Sequence, residues 1–349
     1  MESITRIITP EEDGLTVRRY LRGKLHFSAR AVSRLTRAET GIMVNGERAF
    51  TIRVLRAGDC LRVETGDQRG PKKPLIPGDW PLPILWEDEH LLILDKPAGM
   101  TSHASNFDPD APNVGGALAY QRGGGFVFHP VNRLDRGTSG VMVVAKSGYI
   151  HDRLRHMLHS RAFRREYLAI CTGTPNPPRG VIDAPIGRDE RSVVARMVRP
   201  DGAQAVTVYE TLSAVRLRPD NTEAVTAYET LSAVRRAEAP TAYETLSAVR
   251  LHPDGAAYET LSLVRLRPET GRTHQLRVHM AHIGCTLLGD WLYGAETPLI
   301  SRPALHSRSL DLRHPVTGER LQITAPLPDD MRRIIDSISP PPPDTFCQP

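Results

Sequence analysis

Arg133-Leu134-Asp135-Arg136-Gly137-Thr138-Ser139-Gly140 runs directly into the apolar segment Val141-Met142-Val143-Val144. One carboxylate stands between two arginines, on a turn that carries Gly and Ser and opens a strand-like run. Neighbouring cations favour the ionised carboxylate, and a turn at a strand entrance fixes its direction. The stretch therefore suits a positioned nucleophile better than a merely solvated acid. An isolated Asp-x-x-Thr-Ser is more simply read as a local side-chain cap, so the rest of the chain has to decide.

Two further segments bear on that decision. The first is Thr270-Gly271-Arg272-Thr273-His274-Gln275-Leu276-Arg277-Val278-His279, and the second is Arg164-Arg165-Glu166-Tyr167-Leu168-Ala169. In this order, with the Arg133–Gly140 stretch, they resemble the RluA/RluD-type RNA pseudouridine synthases. That family reads R-L-D-x-x-T-S-G at its catalytic aspartate, T-G-R-T-H-Q-[IL]-R-V-H in a later motif, and K-x-Y-x-A in a strand. Here Arg165 replaces the usual lysine. Gly289-Asp290-Trp291-Leu292-Tyr293-Gly294, His306 and His314-Pro315-Val316-Thr317-Gly318-Glu319 also resemble the family's later motifs. One departure is Asn132, where many relatives carry His before the arginine.

The resemblance implies an isomerase that breaks the N1–C1′ bond of a uridine, turns the base and joins C5 to C1′. It implies Asp135 as nucleophile, with attack at C1′, attack at C6 and a glycal route all left open. It makes Arg277 the partner whose guanidinium fork holds the Asp135 carboxylate. Tyr167 would stack on the flipped base and assist C5 deprotonation, although a Tyr between apolar residues is by itself more often a core side chain. Arg133 would fill the gap left by the extruded base. Leu276 would pack in the wall of the site, and Arg272 and His274 would contact phosphate or brace the loop. Neither a metal nor an organic cofactor is expected. The run His274, His279, His282, Cys285 matches no common zinc spacing.

Outward from these motifs, residues 12–66 read as one small module. Val17, Tyr20, Leu21 and Leu25 recur at helical spacing, and Ser28 is a good N-cap for a second helix carrying Val32 and Leu35. Ile42 and Val44 alternate into an Asn45-Gly46 hairpin turn. Arg18, Arg19, Arg22, Lys24, Arg30, Arg34 and Arg37 crowd the two helices. Two basic helices followed by this turn resemble the S-four RNA-binding domain, whereas basic helices alone are as easily a solvated face.

The expected organisation is an S-four-like RNA-binding domain at 1–68, a Pro/Gly/Lys-rich linker at 69–81, a catalytic domain at 82–335 and a Pro-rich disordered tail at 336–349. By resemblance the catalytic domain is α+β, the pseudouridine synthase fold on a mixed, mostly antiparallel central sheet. Leu91-Leu92-Ile93-Leu94 should be a buried strand, and Ile150–Arg161 a helix. Gly123-Gly124-Gly125 reads as a loop before a strand at Phe126-Val127-Phe128, not as a cofactor cradle. Tyr-Glu-Thr-Leu-Ser recurs at Tyr209, Tyr228, Tyr243 and Tyr258. The middle copies read as a neutral tandem insertion between two paired strands, within 209–265.

Composition agrees with an RNA partner without requiring one. The 349 residues carry a net charge of +5, a mild basic excess. The four cysteines are scattered, with no C-x-x-C pair, and read as free thiols of a reducing compartment. With no signal-like N-terminus and no bilayer-length apolar run, the expectation is a cytoplasmic, monomeric protein without a membrane partner. The family resemblance, and not the composition, makes large-subunit ribosomal RNA the favoured substrate, with transfer RNA second. The competing reading is a catalytically inert RNA-binding ribosome-assembly factor on the same fold. An S-four-bearing RNA methyltransferase is disfavoured, because no Gly-rich strand-to-helix loop is present.

Overall fold

The computed structural model describes residues 3–67, 75–104, 108–123, 126–158, 160–216 and 260–338. The N-terminal part comprises β1 (Ser3–Ile7), α1 (Val17–Gly23), α2 (Ala29–Arg37), β2 (Ile42–Val44), β3 (Glu47–Arg48) and β4 (Cys60–Glu64). Its four strands form one sheet in the order β1-β4-β2-β3. Thr16 and Ser28 cap α1 and α2, with Oγ atoms accepting from Arg19 and Ala31 N–H. Asn45 and Gly46 both have positive φ, which a two-residue turn matched to strand twist requires.

The larger part runs through β5 (Ile84–Glu87), β6 (Leu91–Lys96), α3 (Val114–Arg122), β7 (His129–Pro130), β8 (Ser139–Ala145), α4 (Gly148–Met157), β9 (Phe163–Thr172) and β10 (Arg179–Asp183). It continues with β11 (Ile186–Arg188), β12 (Arg196–Val198), β13 (Val206–Arg216), β14 (Thr260–Pro268), α5 (Gln275–His282), β15 (Leu305–Arg313), β16 (Arg320–Thr324) and α6 (Asp329–Ile338). The central sheet follows the order β10-β13-β14-β9-β15-β8-β6-β5, with β16 on β15 and β7 on β8. Within it β15 and β8 are parallel, and the other pairings are antiparallel. The fold is the expected mixed α+β arrangement.

The sheet is buried on both faces, which explains why its inner strands lack alternation. Leu91, Ile93, Val141 and Val143 face one apolar cluster, and Leu92, Leu94, Met142 and Val144 face another. The second cluster also contains Leu134, Tyr167 and Leu276, so the site stands on packed core. The first extends without a break into the N-terminal part through Phe27, Leu21 and Leu61. Phe27 meets the Tyr149 ring at 4.6 Å between centroids, and the Ser28 N–H donates to Asp152 Oδ2 at 2.9 Å. The small module is thus packed against α4 and not merely tethered.

Several expectations need adjustment. Residues 75–81 have no regular structure, yet the Gly78 N–H donates to the Gly116 carbonyl of α3. Residues 126–128 are not a strand; pairing starts only at His129. The last helix continues to Ile338, past the expected start of the tail. The first repeat copy lies on β13, and β14 carries the Thr-Leu-Ser of the last, with Arg216 opposite Thr260. The copies at Tyr228 and Tyr243, and the tail from residue 339, lie outside the described residues. Among the described residues, no helix is long and apolar enough to cross a membrane.

Candidate active site

The loop between β7 and β8 holds Asp135, and nearly every residue around it is anchored. The Ser102 hydroxyl donates to the Leu134 carbonyl at 2.7 Å and accepts the Leu134 N–H at 3.0 Å. The Gly99 N–H bonds the Arg136 carbonyl at 2.8 Å, and Arg302 donates to the Gly137 carbonyl at 3.0 Å. The Thr138 N–H closes the turn on the Asp135 carbonyl at 3.0 Å. Ser139 Oγ meets His306 Nδ1 at 2.9 Å. Gly140 has φ +105°, and a Cβ there would lie 2.2 Å from the Ser307 carbonyl oxygen, so only glycine lets β8 and β15 approach. The unusual residue Asn132 serves as an acceptor, taking the Val143 N–H at 2.8 Å. The motif is therefore a set of anchors around one free group. Among the described residues, the half-buried Asp135 carboxylate receives no hydrogen bond and caps nothing.

A cleft of about 440 Å³ opens over this loop. It brings together every residue the sequence nominated: Asp135, Tyr167, Arg277, Arg133, Leu276, Arg272 and His274. Tyr167 is a buried residue of β9, opposite Leu266 of β14 and Ser307 of β15. Leu276 and Arg277 occupy the first turn of α5, with His274 at its N-cap. Gln275 ties the preceding loop to the sheet, accepting from Thr270 Oγ1 and the Arg272 N–H while donating to the Val206 carbonyl. His279 uses both ring nitrogens on Thr207 and the Ala184 carbonyl.

The electrostatics differ from the expectation in one respect. The fork of Arg277 is not on Asp135. Its Nε and Nη2 donate to the two oxygens of the fully buried Asp290, each at 2.7 Å. Its guanidinium also lies 4.9 Å from the centre of the Tyr293 ring. Burial opposes the Arg277 charge, but the Asp290 bonds and then the Asp290 and Asp135 carboxylates raise its pKa overall. Asp135 thus acts on Arg277 through space, while Asp290 fixes the guanidinium. The sequence neighbours of Asp135 are not its partners either: Arg136 Nε donates to the Gly99 carbonyl, and Arg133 is exposed.

A cation that no motif singles out is Lys96, the last residue of β6. It is fully buried, and its ammonium lies 2.8, 2.7 and 3.5 Å from the carbonyl oxygens of Pro97, Met100 and Arg136. Burial lowers its pKa from 10.5 to about 7, against the pull of Asp135 in the other direction. Between those values the unfolded chain binds a proton here that the folded chain has released. Stability therefore rises with pH across this window, by up to about 1.4 kcal/mol per pH unit, and is flat below it. Lys96→Met is expected to remove that rise. Urea unfolding of both proteins between neutral and alkaline pH tests it, and parallel curves would show that Lys96 keeps its proton.

The comparisons with known proteins agree with this geometry. The family model described as RNA pseudouridylate synthase matches residues 90–282. A Bacillus subtilis protein named as an uncharacterized RNA pseudouridine synthase, YjbO, is 33% identical over 323 residues, covering 92% of this chain and 98% of its own. The ribosomal large subunit pseudouridine synthase D of Xanthomonas campestris is 34% identical over 317 residues, covering 85% of this chain and 80% of its own. The solved human RNA pseudouridylate synthase domain containing 1 shares the fold at a TM-score of 0.50 and 20% identity, over 75% of this chain and 97% of that one. The motifs, the mixed sheet and these relatives place this chain in the RluA/RluD-type RNA pseudouridine synthase family, and it is an isomerase of uridines in RNA.

Proposed function

We propose that the substrate is a uridine of structured large-subunit ribosomal RNA, extruded into the cleft over Asp135. The observation that carries this reading is a carboxylate held on an anchored loop, without a hydrogen bond among the described residues, and acting through space on Arg277 and Lys96. Asp135 is the nucleophile. Tyr167 stacks on the base and assists removal of the C5 proton, while N1 gains a proton as its bond to C1′ is lost. Arg277, fixed by Asp290, supplies positive charge beside the carboxylate. Leu276 forms the apolar wall, Arg272 contacts phosphate, and exposed Arg133 fills the vacated stack. Extrusion costs a few kcal/mol, which phosphate and stacking contacts must supply. Relatives named for the large ribosomal subunit favour that RNA over transfer RNA. Mapping pseudouridines in cellular RNA with and without the gene tests the assignment; an unchanged large-subunit RNA would overturn it.

The N-terminal module is proposed as a second RNA-binding surface of the S-four type. Arg18, Arg22 and Arg37 line a groove of about 380 Å³ with Ser33, Thr36 and Thr51. Charge and hydroxyl donors on a concave face suit a phosphate backbone. Reversing all three arginines to Glu is expected to weaken RNA binding at low salt. It should also flatten the salt dependence, by about one unit of log–log slope for each phosphate no longer neutralised. Titrations at several salt concentrations measure this, and an unchanged slope would remove the groove from the RNA footprint.

A further inference from the structure

Tyr293 connects three parts of the molecule that the sequence keeps apart. Its hydroxyl oxygen accepts the backbone N–H of Arg196, the first residue of β12, at 2.8 Å. The same oxygen lies 2.8 Å from Nδ1 of His274. An amide N–H can only donate, which leaves the phenolic proton available to the imidazole. Nδ1 then accepts, and the neutral ring carries its own proton on Nε2. The ring is kept neutral mainly by burial; Arg277 and Arg196 also disfavour its charge, against Asp135 and Asp290.

His274 has φ 58° and ψ 17°, a left-handed conformation uncommon for a residue with a side chain. It occupies the N-cap of α5 but makes no capping bond. The His274 carbonyl accepts the Val278 N–H at 2.9 Å, so the backbone serves the helix while the ring is left to Tyr293. The ring lines the same cleft as Asp135 and Tyr167.

We propose that Tyr293 is a positioning residue that locks His274 as the Nε2–H tautomer, and that His274 donates this hydrogen bond to a carbonyl oxygen of the extruded uracil. The inference rests on the cleft being the base pocket. The sequence left His274 either a phosphate contact or a brace of the loop; the bond to Tyr293 is a brace, and the base contact is added to it. A fixed N–H donates to a carbonyl oxygen and opposes an amino group. Facing O4, it would favour uridine over cytidine, whose amino group would meet it donor to donor.

Two measurements test this. In the free protein, ¹⁵N NMR of the histidine rings reads which nitrogen of His274 holds the proton. The expected result at neutral pH is Nε2 alone, with Tyr293→Phe releasing the ring into a tautomer mixture. A proton on Nδ1 in the wild type would overturn the proposal. The second measurement is single-turnover reaction on the mapped target stem-loop carrying uridine, 2-thiouridine or 4-thiouridine, sulfur being the weaker acceptor. His274→Asn suits the left-handed backbone but does not reach the Nε2 position. It is expected to slow the uridine reaction about 10- to 100-fold and to abolish the wild-type sensitivity to sulfur at one of the two positions. His274→Gln, whose amide reaches that position, should recover part of the rate. Equal sulfur effects in wild type and His274→Asn would sink the idea. Asp135→Asn separates the layers: if it still makes pseudouridine, the pocket reading fails, whereas an inactive Asp135→Asn with uncoupled sulfur effects fails this inference alone.

Discussion

Asp135→Asn is expected to abolish pseudouridine formation while leaving RNA affinity within about twofold and stability within about 0.5 kcal/mol. The asymmetry follows from the anchoring of its loop. Ser102, Gly99, Arg302 and Thr138 fix the backbone around residue 135, and its carboxylate contributes no hydrogen bond to that framework. Asn fits the same space, so the fold loses no hydrogen bond of the carboxylate among the described residues, only its through-space pull on Arg277 and Lys96. The amide cannot act as the anionic nucleophile, and a fall of about 10⁴-fold corresponds to about 5.5 kcal/mol of lost transition-state stabilisation. Tritium release from C5-labelled uridine measures turnover, and filter binding measures affinity. A variant that retains turnover would remove Asp135 from the chemistry. A variant that loses affinity and turnover together would show that the carboxylate serves RNA binding instead.

Asp290→Ala should have the second largest effect, and a different one. Asp290 is fully buried and accepts both arms of the Arg277 fork. Its removal leaves a buried guanidinium without a counterion, a situation that costs about 3–5 kcal/mol. Activity should fall as well, because Arg277 is no longer fixed beside Asp135. The double variant Asp290→Ala, Arg277→Met removes the orphaned charge. It should recover a large part of the stability and none of the activity. Denaturant unfolding of the wild type, both single variants and the double variant gives the coupling energy directly. Additive losses would mean that the pair is not the unit described here.

These predictions mark where sequence reading succeeded and where it stopped. The Arg133–Gly140 stretch was legible because it is contiguous, and contiguous residues share one loop whatever the rest of the chain does. The Asn45-Gly46 turn and the Ser28 cap were legible for the same reason: each acts within a few residues of itself. The burial of Leu91-Leu92-Ile93-Leu94 followed from an uninterrupted apolar run, which a strand covered on both faces hides. The site residues on β9 and α5 were nominated through motifs, and the cleft joins them although they are far apart in the chain.

Partnership was a different matter. The sequence offered Arg133 and Arg136 as the cations of Asp135, but Arg136 bonds a carbonyl and Arg133 is exposed. The charge near Asp135 comes from Lys96 and Arg277, and Arg277 is oriented by an aspartate thirteen positions further along. Asp290 and Tyr293 stood in a recognisable motif, but nothing local to it specified what they hold.

The sequence by itself determined the chemistry present: which side chains exist, where the caps, tight turns and buried apolar runs stand, and that an acid, a tyrosine and an arginine recur in a known order. Only the tertiary structure decided which charge neutralises which, that Lys96 lies buried beneath the Asp135 loop, and that Tyr293 orients His274. The physical reason is range. Caps, turns and periodicity are set by the covalent chain over a few residues, whereas ion pairing and desolvation depend on distance through space, which exists only once β6, β8, β9 and α5 have packed together.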